Sequence, residues 1–229
     1  MKIKILSWNI WIHGDFVKIS SFLKETNADI IGLQEVKDDD SKRDVIGYLR
    51  SLGYEYVFAP VKHIWKEKIY NDGPAIFSKY PIKNNKKYIL SEEDRRGAAR
   101  ADIQINGKQL HVFNTHLIHT HQQQSKIQDE QAENLVKLVP QEKSILMGDF
   151  NALPDSNAVK IVGKDFINTD PNLLPTWSIY PEGCIDCNPK GVNYKLDYIF
   201  TSKDLKTKDY KVEKSKASDH LPISIVIEL

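Results

Sequence analysis

Several apolar, strand-like runs in this chain end in residues that do not belong in a core, and that repetition constrains the fold more than any other feature. Asn9 follows "KILSW", Glu35 follows "IIGLQ", and Asn114 and His116 close "LHVFNTH". "SILMGDFNAL" (144–153) ends by presenting Asp149 and Asn151, Asp197 lies in "KLDYIF", and Asp219 and His220 precede "LPISIVI". Residues two apart on a strand point the same way, so each run can aim a pair of polar groups at one spot. A lone polar residue at a strand end is usually a turn former. Independent turn residues need not repeat one placement on half a dozen strands, and an isolated buried carboxylate is very costly. The chain must therefore bring these ends together around a cation or solvent.

Helical patterns alternate with the strands. Asp15 can cap a helix that carries Phe16, Ile19 and Leu23 on one face, and Ser41 starts another with Val45, Leu49 and Leu52, stopped by Gly53. Segment 61–73 reads as a polar loop between strands. "KKYILSE", "AARADIQI" and "KQLHVFNTHL" read as antiparallel neighbours, with Asn106-Gly107 as a tight turn. Helices follow over about 122–139 and 155–163. Strands in hairpin order with flanking helices predict an α+β fold in which two sheets pack on each other with helices outside.

At 229 residues, 41% of them hydrophobic and 28% charged, the chain can bury one sizeable core, so residues 1–229 are expected to form a single domain. Lys+Arg 32 against Asp+Glu 31 leaves a formal charge of +1, which excludes a global basic footprint for phosphate backbones. The beginning, "MKIKILSWNIWIHGDF", matches neither a cleavable apolar leader nor a span of about 20 apolar residues. A soluble cytoplasmic monomer without membrane insertion is the expectation. Two cysteines, Cys184 and Cys187, are too few for a disulfide framework and suit a reducing compartment.

The polar set is oxygen-rich: Glu35, Asp149, Asp197 and Asp219 with Asn9 and Asn151, against the imidazoles of His116 and His220. Hard oxygen ligands suit Mg2+, with Mn2+ as an alternative, better than zinc. Such an ion polarises a phosphoryl oxygen while a carboxylate aligns water, so hydrolysis of a phosphate ester fits.

The runs "SWNI", "IIGLQEV", "GPAIFSKYPI", "FNTHL", "LMGDFNALP", "KLDYIF" and "ASDHLPI" stand in the order found in the endonuclease/exonuclease/phosphatase superfamily, and the sequence resembles that superfamily over almost its whole length. The resemblance implies a deoxyribonuclease-I-like, four-layered α/β/β/α sandwich with the active site where the strand ends of both sheets meet. It makes Glu35 the principal metal ligand, with Asn9 and Asp219 completing or supporting the shell. Asp149 would orient or deprotonate water, Asn151 would hold that water or the phosphate, and Asp197 would pair with His220. His116 would stand on the phosphate side. Trp11 and "NTHL" depart from the apurinic endonucleases, and the "NTHL" form resembles instead the deoxyribonuclease, sphingomyelinase, tyrosyl-DNA phosphodiesterase and general metal-dependent hydrolase branches. A phosphodiesterase or nuclease acting on nucleic acid, or on an adduct such as a 5′-tyrosyl end, is the leading expectation. A sphingomyelinase- or inositol-phosphatase-like hydrolase is the alternative, and an inactive binding module the reading outside enzymology.

Weaker candidates complete the list. Asn114 is a substrate-binding candidate at its strand end, Arg96 and Arg100 can clamp a phosphate bidentately, and Trp177, in a long loop before Asp197, can stack on a base or ring. "KHIWKEKIYND" (62–72), with Trp65 and Tyr70 among lysines, is a second rim. His119 and His121 join His116 in a run that invites zinc, but it straddles a strand exit with no cysteine or carboxylate in it, so a mobile rim is expected. "CIDC" has the spacing of half a zinc ribbon without a second cysteine pair, so ordinary loop cysteines are expected.

Overall fold

The computed structural model describes residues 1–229 apart from Lys66, and the side chains of His63, Ile64, Trp65 and Lys68 are likewise outside the description. The Trp65 rim expectation therefore lies outside the described residues. In chain order the strands are β1 (Lys2–Asn9), β2 (Ile30–Val36), β3 (Glu55–Phe58), β4 (Val61–Trp65), β5 (Lys68–Ser78), β6 (Ile82–Ile89) and β7 (Gly97–Ile105). They continue with β8 (Lys108–His116), β9 (Ser144–Asp149), β10 (Ile167–Asn168), β11 (Asp197–Thr201), β12 (Lys206–Val212) and β13 (Ile223–Glu228). The helices are α1 (Phe16–Thr26), α2 (Val45–Ser51), α3 (Lys126–Leu138) and α4 (Asn157–Gly163).

One sheet runs β12-β13-β1-β2-β5-β3, with β4 paired to β5, and the other runs β10-β11-β9-β8-β7-β6. Ile3, Ile5, Ile225, Val112, Ile145 and Met147 fill the space between them. Ile19 and Leu23 of α1 and Leu49 of α2 cover the outer face of the first sheet over Leu6, Trp8 and Leu33. Leu135 of α3 and Val162 of α4 cover the second over Phe113, Leu146 and Phe200. The four-layered α/β/β/α sandwich is thus as expected.

The strands are not all in hairpin order. β1 pairs with β2, and β8 with β9, in parallel, each through a helical crossover. Two parallel pairs point the C-terminal ends of β1, β2, β8 and β9 to one edge of the sandwich. Along these strands the inward face turns from apolar to polar at that edge: Ile3, Ile5, Ser7 and Asn9 on β1, Leu110, Val112, Asn114 and His116 on β8, and Ile145, Met147 and Asp149 on β9.

Local chemistry sets the helix ends. Asp15 accepts from Lys18 N and caps α1 as expected, and Ser125 and Ser156 cap α3 and α4. The helix expected from Ser41 is instead a 3-10 turn, Ser41–Arg43, followed by α2 with Asp44 as its cap. Asp44 accepts from Gly47 N, so the chain restarts there, and Leu52 is left exposed rather than in the core. The expected 61–73 loop is largely the β4–β5 hairpin.

Candidate active site

Strand register builds the centre of the site. Asp149, the last residue of β9, stands directly opposite Asp197 on antiparallel β11 and beside His116 on parallel β8. Gly148 before it has φ of +149°, and a Cβ there would lie 2.1 Å from the Thr115 carbonyl oxygen, so glycine is what lets β9 lie this close to β8. Asn151 follows in the left-handed region, φ 49°, which asparagine tolerates, and its backbone N–H donates to Asp149 Oδ1 at 2.8 Å.

Glu35 reaches the site by breaking the strand pattern. On β2 the alternation that sends Ile31 and Leu33 to the outer core would send Glu35 the same way. The pairing to β5 takes three residues from Leu33 to Val36 against two from Ala75 to Gly73, which is a β-bulge. Glu35 adopts φ of +59°, a conformation costing about 1–3 kcal/mol in a non-glycine residue. Its carboxylate is held by Ile12 N–H at 2.7 Å and Asn9 Nδ2 at 3.0 Å. Arg43, not foreseen in the sequence, secures the same loop by donating to the carbonyls of Ile10 and Trp11.

Asp149 is the hub. Asn9 Nδ2 donates to its Oδ2 at 2.9 Å, and His116 Nε2 and His220 Nε2 stand 3.5 and 3.6 Å from that oxygen. His220 Nδ1 is 2.9 Å from Asp197 Oδ2, and Asn151 Nδ2 donates to His116 Nε2 at 3.0 Å. Burial pushes the Asp149 carboxyl up to about 7 despite the opposing His220 charge. Burial alone would disfavour the His220 imidazolium, but Asp197, Asp149 and Asp219 outweigh it and hold His220 well above the ordinary histidine range. The His220 imidazolium therefore sits between the Asp149 and Asp197 carboxyl groups, stabilised from both sides. The ligand atoms of these three lie within 4.8 Å of one another, a spacing that can also take a cation.

Between the sheets opens a cavity of about 250 Å3. Asn9, Glu35, His116, Asp149, Asn151, Asp219, His220, Trp177 and Arg96 line it, all of them expected at the site. Asp72 and Trp11 also line it. Asp72 was hidden because its segment reads as a loop; it sits on β5 four residues before the inward-facing Ile76, and burial with Glu35 nearby pushes its carboxyl up to about 7.

Other expectations are corrected. Asn114 is no substrate ligand: its Nδ2 donates to the Leu33 and Ala75 carbonyls at 2.8 Å each, and its Oδ1 accepts from Gln34 Nε2 at 2.6 Å. It is a fully buried strut between the sheets. Arg100 points the other way, into Asp102 at 2.8 and 3.2 Å and over the Phe113 ring, because its neighbours Ala99 and Ala101 take the inward face. Trp177 is 2% exposed and offers no free face for stacking; its Nε1 donates to Asp219 Oδ2 at 2.9 Å, so it orients that carboxylate. Asn9 directs its oxygen to Trp11 N and its amino group to Glu35 and Asp149, which makes it a support for the carboxylates rather than an oxygen donor to the cavity. Cys184 and Cys187 form a disulfide, and His119 and His121 lie against it instead of on a separate rim.

Carboxylates, amides and imidazoles are thus gathered where the two sheets of the sandwich meet. The chain belongs to the Endonuclease/Exonuclease/phosphatase family, whose model matches residues 6–220 and whose members are hydrolases of phosphate esters. An endonuclease/exonuclease/phosphatase from Beutenbergia cavernae is similar in structure, with a TM-score of 0.83 and 19% identity over 100% of this chain and 72% of that one. The human Nocturnin catalytic domain with a bound sulfate anion is similar at TM-score 0.73 and 20% identity, over 99% and 94%. A mannosyl-6-phosphatase from Bacteroides thetaiotaomicron is similar at TM-score 0.71 and 19% identity, over 99% and 100%. No curated protein matches the chain in sequence.

Proposed function

We propose that this protein is a Mg2+-dependent phosphodiesterase acting on nucleic acid or a nucleic-acid adduct such as a 5′-tyrosyl end, with Mn2+ able to replace Mg2+. The observation that carries the metal is the charge of the cavity. Six carboxyl groups line it (Glu35, Asp72, Asp149, Glu182, Asp186 and Asp219), two of them, Asp72 and Asp149, pushed up to about 7, against Arg96 and the His220 imidazolium among the described lining residues. An anionic phosphate enters such a site only behind a divalent cation. The donors are hard oxygens, which fits Mg2+. Glu35 and Asp219 would hold it, with Asn9 and Trp177 fixing their carboxylates. When bound, the cation supplies charge stabilisation to the phosphoryl oxygens and the leaving oxygen.

The chain's own groups divide the remaining work. Asp149 takes a proton from the attacking water, and Asn151, its amide hydrogens donated to His116 Nε2 and the Leu117 carbonyl, keeps an Oδ1 lone pair beside the His119 bond that can accept from that water. Asp197 keeps His220 protonated, so that His220 donates to a non-bridging oxygen, while His116, whose Nε2 accepts from Asn151, positions that amide. Arg96, its charge disfavoured by burial but supported by Asp72, Glu35 and Asp149, is placed to grip the phosphate. No covalent intermediate is required.

The nucleic-acid preference rests on the cavity's mouth, where Trp11 and Tyr70 stand as half-exposed aromatic faces beside the acidic floor. The cavity's small volume, below the ~300–1,000 Å3 of ordinary small-molecule sites, favours the second reading, a compact inositol phosphate or sphingolipid headgroup. Purified protein with Mg2+, Mn2+ or chelator, offered DNA, RNA, a 5′-tyrosyl oligonucleotide, sphingomyelin and inositol phosphates, tests both. Turnover that needs metal and falls by ~10²–10⁴-fold in Asp149→Ala supports the enzyme, and the substrate turned over chooses between readings. Turnover indifferent to both chelator and Asp149→Ala would overturn it.

A further inference from the structure

Outside the hydrolytic centre, two short motifs far apart in sequence meet. His119 and His121 leave β8 in "HLIHTH", and Cys184 and Cys187 stand in "CIDC" on the long loop that walls the cavity. Cys184 Sγ is 3.7 Å from His119 Nε2 and 3.6 Å from His121 Nδ1, and Cys187 Sγ is 3.4 and 3.3 Å from the same two nitrogens. With Zn–S of ~2.3 Å and Zn–N of ~2.0–2.1 Å, a tetrahedral site has S···N edges of about 3.5 Å. All four observed separations bracket that edge. We propose that, with its cysteines reduced, this protein binds a structural zinc ion through Cys184, Cys187, His119 and His121.

Three further observations fit a built site. All four ligand atoms lie within 4.8 Å of one another, and the two imidazoles meet edge to face at 4.7 Å, so both rings turn a nitrogen toward the same point. His119 Nδ1 faces Asn151 Oδ1 at 2.9 Å and donates to it, which leaves the Nε2 lone pair directed at the sulfurs. A hydrogen bond to the distal nitrogen is how metal-bound histidines are usually oriented. The donor set is two thiolates and two imidazoles, soft where the catalytic cavity is hard, so the two centres select different ions.

In the disulfide form the sulfurs are joined to each other and offer no thiolate. A dithiol delivers two electrons and two protons and becomes its own disulfide, or a phosphine delivers two electrons and takes its oxide oxygen from a water that supplies both protons, and the disulfide opens to two thiols. Zinc then displaces both thiol protons as it binds. The ion would staple residues 184–187, which contribute to the cavity wall, onto the strand exit that carries His119, and through His119 would set the orientation of Asn151. A two-electron oxidant such as hydrogen peroxide, itself reduced to water, joins the two thiolates as the disulfide and releases the ion.

The test needs no substrate. The full chain is purified in a phosphine reductant, dialysed briefly against chelator to strip weakly held cations, and its zinc content is measured by mass spectrometry. Co2+ is then added and the absorption spectrum recorded. The expected result is about one equivalent of zinc per chain and, with Co2+, a thiolate charge-transfer band with visible bands of tetrahedral geometry. Both are lost in Cys184→Ser/Cys187→Ser and after oxidation, while the double variant keeps its catalytic carboxylates. Should that variant misfold, the wild-type cobalt spectrum decides alone. Zinc bound equally by wild type and double variant, or a cobalt spectrum without the thiolate band, would overturn the proposal.

Discussion

Replacing Asn114 by alanine separates a strut from a substrate ligand. Its side chain is 0% exposed and makes three short hydrogen bonds, two to carbonyls of the first sheet and one from Gln34 Nε2. Each buried bond contributes about 0.5–1.5 kcal/mol net, and partners left unsatisfied raise that. Asn114→Ala should therefore cost roughly 2–4 kcal/mol, with a small cavity in addition. For a chain of this length each kcal/mol lowers Tm by ~2–4 °C, so a fall of about 5–15 °C follows. Urea unfolding should show a lower midpoint at unchanged slope. Asn114→Asp should be worse, because it aims a carboxylate at two carbonyl oxygens. Steady-state kinetics well below the lowered Tm should give a KM within about twofold of wild type, since the amide does not line the cavity. The reasoning fails if Asn114→Ala unfolds within ~0.5 kcal/mol of wild type while KM rises tenfold.

Arg96→Ala should lower kcat/KM by about tenfold or more, whereas Arg100→Ala should leave it within about twofold, because Arg100 is bound to Asp102 on the outer face of its sheet; equal losses in both variants would sink the distinction. Trp177→Phe removes the N–H that holds Asp219 Oδ2 and should raise the Mg2+ concentration for half-maximal activity by ~10–100-fold, read from a Mg2+ titration at saturating substrate. Tyr54, its phenol donating to Ala28 O at 2.6 Å, is pushed up to about 12 by burial. A raised folded pKa keeps its contribution below pH 10, near the ordinary tyrosine value, and loses it as pH rises through about 12, because the unfolded chain gives up the proton first. Tyr54→Phe should flatten that part of the stability-against-pH curve in urea titrations, and an unchanged slope would contradict the assignment.

The polar ends of the apolar runs were legible because strand period and the cost of buried charge are local rules. Asn9, Glu35, His116, Asp149, Asn151, Asp219 and His220 were named on that ground and all line one cavity. Asp72 was not, since the residues before it read as a loop until β4 and β5 pair. Glu35 was named for its type, yet simple alternation would have turned it away from the site, and only the bulge between Leu33 and Val36 delivers it.

Residue type and the spacing of a few positions already specify which residues carry charge or imidazole, which runs are strands, and the family to which their order belongs. Tertiary structure alone decided what each side chain faces. Asn114 and Arg100 stand on strands read correctly, but a side chain's partner is set by sheet pairing and by which face meets the second sheet, contacts made across tens of residues. His121 and Cys184 are 63 residues apart and share no local pattern, so their meeting follows only from where β8 ends and how the cavity-wall loop packs back against it.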